Sequence, residues 1–316
     1  MAPSERLNLP SHFRNWNVTQ FEHSDKKQER STSTKPFWKR PLGIAVIATV
    51  IVVILIVIIV PLAVILPKKG KHNATILLPL YIYPSTSTTW KPLYDALDAR
   101  PNLKVTVIVN PASGPGNSQY PDAQYSAELI KLSAYRNVKS VGYVRTGYAS
   151  RNISDVLSEI SVYAGWATKN SSFAMSGIFF DESPHQYSAE AVEFMRRASD
   201  AVKKTSGLQG EKTVIRNPGV IPDSRFNDTN TDTTVVFEEA YPKYQREQTS
   251  LDALHNHRSE KSYMVHSVPL MKKEELRNWV DGLSRRAEFL FVTTNDADYY
   301  ESFGTDWADF TDVVPS

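Results

Sequence analysis

Eight short apolar runs, each ending at polar or turn-forming residues, recur between residues 76 and 293 and constrain the fold more than any other feature. Their composition is typical of buried strands, and segments with helical spacing separate most of them. The predicted strands are residues 76–83, 104–110, 138–145, 177–181, 213–217, 234–238, 262–267 and 288–293. Eight strands alternating with helices predict an α/β fold, a (β/α)8 TIM barrel over residues 75–316. A doubly wound open sheet is the alternative, but no Gly-rich phosphate turn follows the first strand.

The intervening segments differ in how clearly they predict helices. A clean apolar stripe at i, i+3, i+4 and i+7 runs through residues 153–164, and a second runs through residues 276–283. Residues 122–135 place Ala123, Ala127, Ile130 and Ala134 on one face, which we expect to be buried. The Asn/Asp-rich link at 218–232 is short, so it predicts only a vestigial helix between the fifth and sixth strands.

An apolar run at residues 42–66 predicts one transmembrane signal-anchor helix. About 25 residues rising about 1.5 Å each exceed the hydrocarbon core of about 30 Å. A cleaved signal peptide would be shorter, nearer the start and followed by a small-residue cleavage site, whereas Lys68, Lys69 and Lys71 follow this run. Residues 1–41 are polar and lack an apolar period, which predicts a disordered basic tail, and residues 67–74 form a hinge.

Charge predicts the orientation of the span. Residues 1–71 hold 11 Lys and Arg against 4 Asp and Glu, and the remainder holds 25 against 30. More cations precede the span than follow it, so we expect a cytoplasmic N-terminus and a type II protein whose barrel faces the cell exterior or secretory lumen. Sequons at Asn73, Asn152, Asn170 and Asn227 beyond the span agree with a glycoprotein.

Composition also narrows the chemistry. After the span, acidic residues outnumber basic ones. The sequence there therefore has no excess of positive charge that would indicate a nucleic-acid binder. The chain has no Cys, which excludes disulfides, thiolate metal sites and a Cys nucleophile. No pair of His stands beside the acids at the predicted strand ends, so we expect no metal, and no motif predicts a cofactor.

Polar residues stand where the predicted strands end, the place where TIM barrels build their active sites. Each has a structural alternative: Asn before Pro often begins a turn, and a single His is often structural. Tyrosines in the loops beyond the strands, including Tyr148 and Tyr300, offer flat apolar faces that suit a sugar. The residues we expect to bind substrate are Tyr81, Tyr83, Asn110, Tyr143, Asn217, Glu239, His266 and Asn295.

Two strands end in adjacent carboxylates: GIFFDE at 177–182 and VVFEE at 235–239. A single acid of this kind could instead pair with Arg or cap a helix. Two such motifs on nearby strands indicate the carboxylate pair that glycoside hydrolysis requires. Close, partly buried carboxylates separate their pKa values, so that one is protonated while the other is ionised. The predicted catalytic residues are Asp181, Glu182 and Glu238.

Six motifs together resemble the spherulin-4-like cell surface family, which includes glycoside hydrolase family 135. They are LPLYIYP at 78–84, VIVNPASGPG at 107–116, VGYVRTGY at 141–148, GIFFDE at 177–182, NPG at 217–219 and VFE at 236–238. The resemblance covers about residues 75–300. It implies a (β/α)8 barrel, a fungal source and often a membrane anchor before the barrel.

For function, the resemblance implies endo-acting hydrolysis of α-1,4-linked N-acetylgalactosamine in galactosaminogalactan, an exopolysaccharide. The family's acids would be Asp181, Glu182 and Glu238, although Glu239 follows directly and a shift by one residue is open. In an α-linked sugar the acetamido group lies on the same ring face as the leaving oxygen, so the protein or a water must supply the nucleophile. We expect either Asp181 or Glu182 to face Glu238. The alternative is a cell-surface carbohydrate-binding or wall-organising protein that kept the barrel without turnover. The oligomeric state is not predicted.

Overall fold

The strands of the computed structural model, which describes residues 36–41, 44–54 and 72–316, form a closed parallel barrel. They pair in chain order, and the first pairs with both the second and the eighth. The predicted TIM barrel is therefore confirmed. The strands are β1 Thr75–Leu80, β2 Lys104–Val109, β3 Val138–Arg145, β4 Gly177–Asp181, β5 Thr213–Arg216, β6 Thr233–Ala240, β7 Lys261–His266 and β8 Phe289–Val292.

Helices cover the outside of the barrel, so strand residues are buried on both faces and the strands read as nearly continuous apolar runs. All six residues of β1 are buried, for example. Within residues 72–316, a helix follows every strand except β5, which is followed by a short 3-10 turn at Ser224–Phe226, as its polar link predicts. The helices are α1 Lys91–Ala99, α2 Ala123–Ser133, α3 Ile153–Lys169, α4 Ala189–Lys204, α5 Tyr241–Asp252, α6 Lys273–Ser284 and α7 Trp307–Val313.

The helix faces follow the predicted stripes in α3 and α6, but the predicted face of α2 is wrong. Leu129 and Leu132 of α2 are buried, whereas Ile130 is exposed, as are Ala123, Ala127 and Ala134. The larger side chains set the rotation of this helix. Tyr125 is buried and its hydroxyl donates to the carbonyl of the residue after β2, 3.1 Å away.

A β-bulge in β6 changes the direction in which its last side chains point. The pairing with β7 shifts between Val235 and Phe237, so Glu238 lies opposite Met264. An extra residue in one strand re-aims the side chains that follow it. This irregularity places Glu238 toward the mouth of the barrel.

The two ends of the barrel segment meet at its N-terminal face. The backbone N–H of Ala74 donates to the carbonyl of Pro315 at 2.7 Å. Arg100 reaches the same region, because its guanidinium donates to the carbonyls of Thr311 and Asp312. The ends therefore lie opposite the strand ends where the candidate site is found.

The chain divides into two units, with the boundary between Lys68 and Lys69. Residues 44–54 are helical and their side chains are exposed. No helix in the described ranges 36–41, 44–54 and 72–316 has the length and apolar character needed to span a membrane. The predicted span at 42–66 lies only partly within those ranges, and most of the predicted tail and hinge lies outside them.

Candidate active site

An asparagine bridges two carboxylates at three neighbouring strand ends. Asp181 ends β4, Asn217 follows β5, and Glu238 lies near the end of β6. Nδ2 of Asn217 donates to Oδ1 of Asp181 at 2.7 Å and to Oε2 of Glu238 at 2.5 Å. Because both acceptors bond to the same nitrogen, these two oxygens lie within about 5 Å of each other.

The orientation of Asn217 is fixed by its surroundings. The side chain is buried, and its Oδ1 accepts a hydrogen bond from the N–H of Gly219 at 3.0 Å. Its backbone N–H donates to the carbonyl of Phe180, and its carbonyl accepts from the N–H of Ser183. The amide therefore has its two donor hydrogens available only toward the carboxylates.

Two tyrosines donate to the carboxylate pair, and a third packs against both of them. The hydroxyl of Tyr143 donates to Oδ2 of Asp181 at 2.7 Å, and that of Tyr300 donates to Oε1 of Glu238. Tyr81 lies between them, its ring centroid 5.5 Å from Tyr143 and 5.6 Å from Tyr300, both edge-to-face. Each carboxylate is thus held by one phenol and by the shared amide.

Burial raises the pKa of Glu238 and of the tyrosines around it. Desolvation, with a further contribution from Asp181, raises the pKa of Glu238 to about 7 and outweighs the hydrogen bonds from Tyr300 and Asn217 that lower it. Burial and the nearby carboxylates also raise the pKa of Tyr81, Tyr143 and Tyr300, so these phenols remain donors. Glu238 can therefore hold a proton near neutral pH, as a general acid must.

Glu182 also lines the cleft, although it does not join the bridge. Strand β4 ends between Asp181 and Glu182, and the left-handed backbone of Glu182, with φ of +49°, turns its side chain toward Arg145. Their closest charged atoms are 3.7 Å apart. Of the two candidates, the structure therefore places Asp181 opposite Glu238.

Glu239 lines the same cleft, which has a volume of about 320 Å³. It pairs with Lys243 at 3.8 Å and accepts from the N–H of Ala240 at 3.0 Å, and neither contact involves Asp181. Between the two adjacent acids, Glu238 is the one that faces Asp181. Across residues 72–316 and the shorter described ranges, no three His, Asp or Glu side chains are placed to hold a metal ion.

His266, the last residue of β7, contacts Ser267 and the loop after β8. Its Nδ1 is 2.9 Å from the hydroxyl of Ser267, and its ring stacks on Tyr299 with centroids 4.0 Å apart. Burial lowers the pKa of His266, while Glu239 partly opposes that shift. The stack supports Tyr299, which in turn packs edge-to-face on Tyr300.

Three predicted substrate-binding residues do not join this cluster. Strand β1 ends before Tyr83, whose hydroxyl donates to Asp122. The side-chain Oδ1 of Asn110 accepts from the N–H of Gly114, which stabilises its own loop. Asn295 donates to Ser302 and likewise braces the loop in which it lies. The polar groups of these three side chains already form hydrogen bonds with nearby residues. A position just after a strand in the sequence does not show whether such a bond forms.

Tyr300 is named from the sequence only as one of the loop tyrosines that suit a sugar, and its contact with Glu238 was not predicted. It lies in the long irregular loop after β8, where no periodic pattern fixes the direction of a side chain. The adjacent pair Tyr299 and Tyr300 was the available signal, because two neighbouring aromatic residues in a polar loop need partners.

Comparison with known proteins agrees with the fold and motifs. The model of spherulation-specific family 4 matches residues 75–314. Spherulin-4 of Physarum polycephalum is 34% identical over 165 residues, which cover 52% of this chain and 45% of that protein, so the match spans less than half of the relative. The crystal structure of Aspergillus clavatus Sph3 in complex with GalNAc is 40% identical and superposes with a TM-score of 0.75. That match covers 78% of this chain and 99% of the Sph3 chain. The resemblance drawn from the motifs is confirmed, and the chain belongs to spherulation-specific family 4.

Proposed function

We propose that this chain is a glycoside hydrolase that cleaves α-1,4-linked N-acetylgalactosamine within galactosaminogalactan-type polysaccharide. The observation that carries the proposal is the bridge from Asn217 to Asp181 and Glu238, which brings two carboxylates together at the strand ends. The similarity to Sph3, whose crystal structure contains GalNAc, supports an amino-sugar substrate.

The short separation of the carboxylates favours a double displacement with retention. In the first step Asp181 attacks the anomeric carbon while the glycosidic C–O bond breaks, and Glu238 gives its proton to the leaving oxygen. In the second step Glu238 takes a proton from water, whose oxygen attacks the anomeric carbon and releases Asp181. Tyr143 and Asn217 hold Asp181 in place for attack.

Replacing Glu238 with Gln tests the assignment. The variant is nearly isosteric but has no proton to give, so we expect kcat on galactosaminogalactan to fall at least about a hundredfold. The melting temperature should fall little, because the amide keeps the shape of the side chain. Proton NMR of the first products of the wild type should show the α-anomer.

Glu239→Gln is the matched comparison, because it makes the same change one residue away. Glu239 faces Lys243 rather than Asp181, so we expect its effect mainly in KM. Full activity in Glu238→Gln, with the large loss in Glu239→Gln, would contradict the assignment. Binding of the polymer without turnover by the wild type would favour the wall-organising carbohydrate-binding alternative.

We also propose that residues 42–66 anchor the protein in the membrane, with the barrel outside the cytoplasm. This anchoring is supported by the apolar run, by the excess of cations before it and by the sequons after it. A polysaccharide substrate outside the cell fits this location.

A further inference from the structure

The loop after β3 contains an unusual run of left-handed backbone. Gly147, Tyr148 and Ala149 have φ values of +58°, +54° and +66°. Only glycine adopts this conformation without a steric cost, so the two other residues are strained. Strain of this kind persists only where neighbouring structure enforces it.

Hydrogen bonds to the end of β4 enforce the turn. The N–H of Tyr148 donates to the carbonyl of Glu182 at 2.6 Å. The hydroxyl of Thr146 donates to the carbonyls of Asp181 and Glu182, at 3.0 and 2.7 Å. Two predicted catalytic residues therefore fix the backbone that presents Tyr148.

The ring of Tyr148 lies at the cleft and is largely exposed. It lines the same cleft as Glu182 and Glu238, and 59% of its surface is exposed. Within residues 72–316 it makes no hydrogen bond through its hydroxyl and no aromatic contact. Tyr187, at 46% exposed, is instead covered by the guanidinium of Arg225, 3.4 Å from its ring centroid.

We propose that Tyr148 is the stacking platform for one pyranose ring of the substrate chain, beside the position where the bond is cleaved. This inference rests on the proposed carbohydrate substrate and adds a subsite to it. A galactose-configured ring has one face of C–H groups, which suits the flat apolar face of a tyrosine. Because an N-acetylated sugar is neutral, stacking on this ring requires no charged group of the protein.

Binding of α-1,4-linked N-acetylgalactosamine oligosaccharides to the full chain in detergent solution tests the proposal. All variants are made in the Glu238→Gln background, so that the ligand is not consumed during titration. For Tyr148→Ala we expect the dissociation constant to rise about tenfold, which corresponds to about 1.4 kcal/mol. Tyr148→Phe keeps the aromatic face and should bind within about threefold of its parent.

Two further variants separate a ligand platform from a structural role. Tyr148→Gly removes the ring and relieves the backbone, so its melting temperature should exceed that of Tyr148→Ala while binding stays weak. Tyr187→Ala removes an exposed tyrosine on a neighbouring loop and should leave binding unchanged. Parent-like binding by Tyr148→Ala, or an equal loss in Tyr187→Ala, overturns the inference.

The outcome is distinguishable from a failure of the proposed function. If the wild type binds the oligosaccharide without cleaving it and Tyr148→Ala weakens that binding, the subsite stands and the catalytic proposal fails. If the wild type cleaves the polymer and Tyr148→Ala neither weakens binding nor raises KM, only the subsite fails. No binding by any form overturns both.

Discussion

At the scale of single residues, the protonation of Glu238 decides how the proposed activity depends on pH. Its pKa of about 7 exceeds the ordinary carboxyl value because burial and Asp181 disfavour the charged form. A general acid must hold its proton, so kcat/KM of the wild type should decrease as pH rises through about 7. A pH–rate profile measured on the polymer checks this, and an unchanged kcat/KM between pH 6 and 8 would contradict it.

Tyr300 should shift that profile because its hydroxyl donates to Glu238 and lowers the carboxyl pKa. Tyr300→Phe removes the hydrogen bond and keeps the ring that packs on Tyr81. We expect the alkaline limb of kcat/KM to move to higher pH. A residue with only a packing role would lower activity at every pH without moving the limb, so the profile distinguishes the two roles.

At the scale of elements, the contact of β4 with β5 leaves no room for a side chain at Gly177. An added Cβ there would lie 1.9 Å from the carbonyl oxygen of Thr213. Because the obstacle is paired backbone, Gly177→Ala should lower the free energy of unfolding by at least about 2 kcal/mol. Denaturant unfolding monitored by circular dichroism measures the change.

Gly165→Ala is the matched control within α3. A Cβ at Gly165 meets no atom within 4 Å, and alanine is the better helix former. This variant should be more stable by about 0.5–1 kcal/mol. Equal destabilisation of both variants would mean that the β4–β5 approach does not determine the cost.

The sequence predicted those strands and helices whose apolar pattern lies within one short segment. Every strand was found within a few residues, because burial on both faces leaves an apolar run. The face of α2 was missed because alanines were weighed like Tyr125 and Leu129, whose larger area dominates burial. The bulge in β6 and the reach of Tyr300 to Glu238 depend on contacts between distant segments, which periodicity does not encode.

At the scale of the whole molecule, the proposed orientation in the membrane can be tested directly. The cations before residues 42–66 predict a cytoplasmic tail and an extracytoplasmic barrel. In sealed microsomes, whose cytoplasmic face is outward, added protease should remove the tail and leave the barrel intact. Digestion of the barrel while the tail stays protected would contradict the orientation.

The meeting of Ala74 and Pro315 at the N-terminal face has a consequence for rearranging the chain. Closely placed ends allow a circular permutant, in which a short linker joins them and new ends open in a surface loop. The turn around Gly210, between α4 and β5, lies on the same N-terminal side of the barrel and is a suitable opening. The order of the segments could thus be changed without moving Asp181, Asn217 and Glu238 relative to one another.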